Sequence, residues 1–145
     1  LRGDKERFKT PYALLFAFPG SPAVYYGDEV GLSQPNPYEV WRGDPYCRAP
    51  FPWDEALWDK DLPAFLRRLI LLNNTHPALR LGGLLPLKAP PGVLAFRRRH
   101  RWKEVWAFFA KEEVRLSLPR GVDLLSGREV AGEVEARYLL FEPSE

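Results

Sequence analysis

The stretch Pro19-Gly20-Ser21-Pro22-Ala23-Val24-Tyr25-Tyr26-Gly27-Asp28-Glu29 reads as a helix stop, a short buried strand over 23–26, and a polar strand end. Ahead of it, residues 4–18 predict a helix. Asp4 is placed as its N-cap, Phe8, Tyr12, Leu15 and Phe16 recur at three- and four-residue steps, and Pro11 marks a kink or the true first turn. The end of that helix is apolar on every side, which requires cover from other elements. A second helix is expected over 62–74, with Pro63 in its first turn, Leu66, Leu69, Ile70 and Asn73 on one face, and His76-Pro77 closing it. One buried strand between two helices cannot be a finished sheet, because its N–H and C=O groups need strands on both sides. Residues 1–82 therefore read as closing units of a larger parallel α/β sheet. A (β/α)8 barrel typically needs about 250 residues, so a fragment is expected.

From about residue 84 the pattern changes to short runs of period two: 84–88, 93–97, 105–110, 114–118, 122–125 and 136–141. Pro90-Pro91-Gly92, Arg120-Gly121 and Ser126-Gly127 punctuate them, and the expectation is an antiparallel β-sandwich over 83–145.

Composition excludes several classes. With 46% hydrophobic and 28% charged residues in 145, the chain can build a core and is not disordered. The net charge of +2 is too small to argue for nucleic acid or an anionic membrane. The longest apolar run, from Ala13 to Pro19, is far below the roughly 20 residues of a membrane span. One cysteine, Cys47, forms no internal disulfide and is compatible with a reducing, cytoplasmic compartment. Fifteen prolines and few amides fit heat adaptation or a GC-rich genome. The chain starts at Leu1 and contains no methionine, which reads as an interior cut.

In parallel barrels the chemistry sits at strand C-termini and on the loops that follow, here Asp28, Glu29 and the long loop to 61. Asp28 and Glu29 are adjacent, and adjacent strand residues face opposite ways, so they make a poor pair for glycoside hydrolysis and read as loop-orienting groups. Asp44-Pro45-Tyr46-Cys47-Arg48 sets a carboxylate and a guanidinium four residues apart around a proline turn, able to accept from and donate to neutral hydroxyls. Trp41, Tyr46, Phe51, Trp53 and Trp58 supply flat faces on which sugar rings stack, or else plain packing. Cys47 reads as loop filler. His76 reads as a helix-end group, and His100 has no spaced partner, so no metal site is proposed. The run Arg97–Lys103 beside Trp102 has the residue types of nucleic-acid binding, but its place between two strands fits a solvated hairpin end.

Residues 19–31 closely resemble the segment at the eighth barrel strand of the α-amylase family of glycoside hydrolases. Asp44-Pro45-Tyr46-Cys47-Arg48-Ala49-Pro50-Phe51-Pro52-Trp53-Asp54 resembles the next loop, most like the neopullulanase, cyclomaltodextrinase and oligo-glucosidase branches. His76-Pro77-Ala78-Leu79 followed by a small sandwich is also that family's order. The resemblance implies the last helix–strand–helix units of the barrel over 1–82 and a covering sandwich over 83–145. It further implies cleavage or transfer of α-glucosidic bonds in α-glucans or maltooligosaccharides, with retention and without a cofactor. The family's Asp nucleophile, Glu acid/base and second Asp lie upstream of this segment, so no catalytic residue is expected here. Asp44 and Arg48, with Tyr46 and Trp41 beside them, match the sugar-contacting loop. Tyr25, Tyr26, Asp28 and Glu29 match structural strand-end positions. The implied partners are the glucan and either the missing N-terminal barrel portion or another copy of the chain. The competing expectation is a non-catalytic carbohydrate-binding or barrel-completing subunit.

Overall fold

The computed structural model describes residues 4–32 and 50–144. Helix α1 (Lys5–Ala17) starts where Asp4 Oδ1 accepts from Arg7 N at 3.1 Å, and it continues past Pro11, which lies inside it. It buries Ala13, Phe16 and Ala17, whereas Leu15, expected inside, is partly exposed. Helix α2 (Leu62–Thr75) buries Leu62, Leu66, Leu69 and Leu72. Asn73 Nδ2 donates to Phe16 O at 2.9 Å, fastening α2 to α1. A third helix, α3 (Pro77–Leu81), follows after the single residue His76 and was not expected. His76 closes α2 with its backbone and opens α3 with its side chain, Nδ1 accepting from Ala78 N at 3.3 Å. Proline at the first helical position completes that restart.

The strand expected over 23–26 does not form. A strand exists only through its ladder, and the sheet of the described residues lies elsewhere, in 83–143. Val24 rests half-buried against the core, while Tyr25 and Tyr26 are 53% and 41% exposed.

The sheet has four strands in the order β1 (Gly83–Pro86), β2 (Val93–His100), β3 (Lys103–Asp123) and β4 (Glu129–Pro143). β1 pairs antiparallel with β2, and β2 with β3 across a tight turn closed by His100 and Lys103. β3 meets β4 in several registers. Trp106 pairs with Phe141 and Phe109 with Tyr138; Val114 pairs with Ala136 and Leu118 with Gly132; Gly121 pairs with Pro143 and Asp123 with Phe141. In each run one number falls as the other rises, so the strands are antiparallel throughout. Bends near 110–114 and 118–121 divide β3, so the short runs expected from sequence are joined into long bent strands.

Alternation along β3 sends side chains to two cores. Val105, Ala107 and Phe109 join Phe96, Leu140 and the helical Ala13, Phe16, Leu66, Leu69 and Leu79. Phe108 joins Leu116, Leu118, Leu139 and Phe141, with Val130 and Val134 packed against them, so the outer part of the β3–β4 ribbon covers the face turned away from the helices. Gly121 sits where a Cβ would come within 2.4 Å of both Glu142 O and the Phe141 ring. Only glycine permits that approach. Among the described residues no helix is long and apolar enough to cross a membrane.

Candidate functional site

The chain leaves α1 through Pro19-Gly20-Ser21-Pro22 and reaches a short 3₁₀ turn, Asp28–Val30. Gly27 and Gly31 flank that turn at φ 92° and 73°, the left-handed region glycine enters without strain. Tyr12, on α1, donates its hydroxyl to Asp28 Oδ2. Burial and the facing carboxylate push the Tyr12 phenol well above its ordinary range, so it remains a donor. Asp28 is therefore tied to α1. One Glu29 oxygen, Oε2, is buried and has no hydrogen-bond partner among the described residues.

The long loop begins and ends at one place. Asp59 N donates to Val30 O at 2.9 Å, closing its base. Asp59 Oδ1 accepts from the amides of Asp61 and Leu62 at 2.8 and 3.0 Å, and its other oxygen pairs with Lys5. The Lys5 contact, aided by those amides, lowers the Asp59 carboxyl to about 2. A charged group thus locks the loop base to the first turn of α1 and to the start of α2.

Near that base the loop carries an aromatic group. The Phe51 ring lies 4.9 Å from Trp53 and 5.9 Å from Trp58 between centroids. Trp58 Nε1 donates to Pro52 O at 2.5 Å, while Trp53 is 84% exposed. Phe51 and Trp58 therefore brace a displayed indole. The sugar-binding candidates Trp41, Asp44, Tyr46 and Arg48 lie outside the described residues, as does Cys47. Tyr25 and Tyr26 stack on each other at 4.8 Å beside the Asp28 turn.

The basic run 97–103 departs from its reading in one respect. The hairpin turn lies where expected, and Arg97 and Arg99 approach Glu104 at 3.5 and 3.9 Å. Arg98, however, is 2% exposed. Its guanidinium donates to Ala17 O at 2.7 Å, to Leu79 O at 2.9 Å and to Gly82 O at 2.7 and 3.2 Å. All three carbonyls lie at or just beyond helix C-termini, where the helix dipole favours a cation. The available signal was the two-residue step from Phe96, which puts Arg98 on the same inward face; the surrounding arginines masked it. Among the described residues no three His, Cys, Asp or Glu side chains gather for a metal ion.

Compared with protein-family models, the chain matches none. It is 44% identical over 80 residues to a cyclomaltodextrinase of a Bacillus species, a match covering 55% of this chain and 13% of that protein. The crystal structure of a maltogenic amylase from S. marinus superposes over 94% of this chain and 19% of its own, with a TM-score of 0.79 and 26% identity. A cyclic α-maltosyl-(1→6)-maltose hydrolase from Arthrobacter globiformis does so over 99% of this chain and 31% of its own, with a TM-score of 0.75 and 28% identity. The chain thus spans between about an eighth and a third of these proteins.

Proposed function

The chain belongs to the α-amylase family of glycoside hydrolases, and on that premise we propose that it is the C-terminal portion of a retaining enzyme acting on α-glucans or maltooligosaccharides. The catalytic carboxylates lie outside this sequence. Residues 1–82 contribute the last helix, strand and helix of the barrel, and 83–145 form the covering β unit. The observation that carries the reading is the near-complete likeness of this chain to a minor part of each enzyme: 94% of the chain on 19% of one, 99% on 31% of another.

The segment 23–26 supports the barrel reading in a second way. It follows a helix, precedes a glycine turn, and has no ladder in this chain. Leu15, Phe18, Tyr25 and Leu71, between 38% and 53% exposed, are the apolar surface that neighbouring barrel strands and helices would cover. Asp28 and Glu29 orient the turn and do not act on substrate. Asp44 and Arg48, with Tyr46 and Trp41, contact the glucose on the non-reducing side of the scissile bond. The division of labour is then simple: this portion shapes one wall of the glucan cleft, and the upstream portion breaks the bond.

Co-expression with an upstream barrel portion from a homologous enzyme tests this reading. Restored turnover of maltooligosaccharides, reduced by Arg48→Ala, supports it. A soluble complex that forms but stays inactive counts against it. The second reading, a non-catalytic binding or barrel-completing subunit, draws on the displayed Trp53 and requires maltooligosaccharide affinity in the chain without any upstream portion.

A further inference from the structure

We infer that the groove at the tip of the β2–β3 hairpin binds a neutral sugar chain, with Trp102 as its stacking wall and the Lys103–Glu142 pair as its hydroxyl contacts. On the reading above, that chain is an α-glucan. The cavity measures about 530 Å³ and is lined by Trp102, Lys103, Glu104, Val122, Glu142 and Ser144. Small-molecule sites span roughly 300 to 1,000 Å³, so a short oligosaccharide fits.

The first reason is Trp102 itself. It occupies a two-residue turn between the paired His100 and Lys103 and is 73% exposed. Such turns favour Gly or Asn at their first central position, yet Arg101 stands there at φ 55°. Its guanidinium lies 5.8 Å from the Trp102 ring centroid, close enough to steady the indole as a cation over a π face. Folding gains little from displaying the largest side chain at a hairpin tip. A sugar gains a flat surface for its C–H face.

The second reason is the polar complement. Lys103 Nζ donates to Glu142 Oε1 at 2.7 Å, which places an ammonium donor and a carboxylate acceptor together on one wall. Neighbouring hydroxyls on a sugar require that mixture. Ser144 adds a hydroxyl on the same rim.

The third reason is charge. Glu142 is matched by Lys103, and Glu104 by Arg97 and Arg99, besides accepting from Trp106 Nε1 at 2.5 Å. Two carboxylates thus line the groove, each paired with a cation, and they offer acceptors for hydroxyl protons that a phosphate or nucleic-acid backbone does not carry. Lys103, Glu104 and Val122 come from β3 and Glu142 from β4, so most of the wall is in place before binding and little ordering cost falls on the ligand.

Calorimetric titration of the 145-residue chain with maltoheptaose tests the inference, with cellohexaose as the comparison sugar. Trp102→Ala should weaken maltoheptaose binding by about tenfold, the loss of one stacking contact, while Trp102→Phe retains most of it. Glu142→Gln should weaken it as well. Circular dichroism of each variant should match the parent, since Trp102 contributes nothing to either core. Maltoheptaose affinity unchanged in Trp102→Ala but lost in Arg48→Ala overturns the groove and leaves the family reading standing. Trp102-dependent binding of cellohexaose with none of maltoheptaose keeps the groove and overturns the α-glucan assignment. Binding of neither sugar overturns the groove, and the turnover test of the family reading is unaffected.

Discussion

Arg98 Nη1 donates to the carbonyl oxygen of Ala17 at 2.7 Å, joining residues 81 apart in sequence. One guanidinium thereby ties the last turn of α1, the end of α3 and the second sheet strand into a single joint, with Leu79 and Gly82 as its other acceptors. Burial pulls the Arg98 pKa down, yet arginine remains charged at any working pH. Its countercharge is a set of carbonyl dipoles, since no carboxylate among the described residues bonds it.

Replacing Arg98 by Ala or Met strands three buried carbonyls at once. The expected loss is about 3 kcal/mol, measured by urea unfolding. Arg98→Lys should recover little of this, because one ammonium cannot reproduce a planar fork that spans three acceptors. A lysine variant as stable as the parent would show that charge alone suffices.

The Asp59–Lys5 contact makes stability depend on acid. The folded Asp59 pKa, about 2, lies below its ordinary 3.8. A depressed carboxyl contributes stability that is complete above the unfolded value and is lost as pH falls through the folded one. Melting temperature should therefore drop between about pH 4 and pH 2. In Asp59→Asn that part of the pH dependence should vanish, with the variant less stable at neutral pH.

His76 acts in the same direction at higher pH. Burial lowers its pKa despite the nearby Glu142, whose Oε1 lies 3.6 Å from Nε2. The neutral ring caps α3 through Nδ1, an acceptor that protonation removes. Its contribution is complete above about pH 6.5 and declines as pH falls below it. Melting curves from pH 8 to pH 5 should show this decline, and His76→Asn, which keeps a capping oxygen, should flatten it.

Gly121→Ala tests the bend in β3. The added methyl would lie 2.4 Å from Glu142 O and from the Phe141 ring, so strand or ring must move. A loss of about 2 kcal/mol is expected by thermal unfolding. An unchanged melting temperature would mean that the bend is looser than its contacts imply.

The elements most legible in sequence were those with local signals. Helix α2 announced itself through leucine spacing and Pro63, and the strand runs through period-two alternation punctuated by Pro and Gly. What escaped depended on distant partners. Arg98 sits among the other basic residues of 97–103, and its one local mark, the two-residue step from the inward Phe96, does not reveal the three carbonyls that it meets. Helix α3 was missed because a His-Pro pair reads as a stop, whereas here the histidine caps a restart. The 23–26 run has strand composition but no ladder in this chain, since β-propensity describes fit to a sheet and cannot supply one. Of the candidate site, Asp28 and Glu29 were read as a polar strand end, and neither the 3₁₀ turn that they form nor the tether of Asp28 to Tyr12 was legible.

Turnover by the 145-residue chain itself, followed as p-nitrophenol released from a p-nitrophenyl α-maltooligosaccharide, shows whether bond-breaking carboxylates lie within this sequence. The expected result is no release above the uncatalysed rate, in the parent chain and in Asp28→Asn and Glu29→Gln alike. Release by the parent chain that either substitution abolishes would contradict it, because the bond-breaking carboxylates would then lie within this sequence.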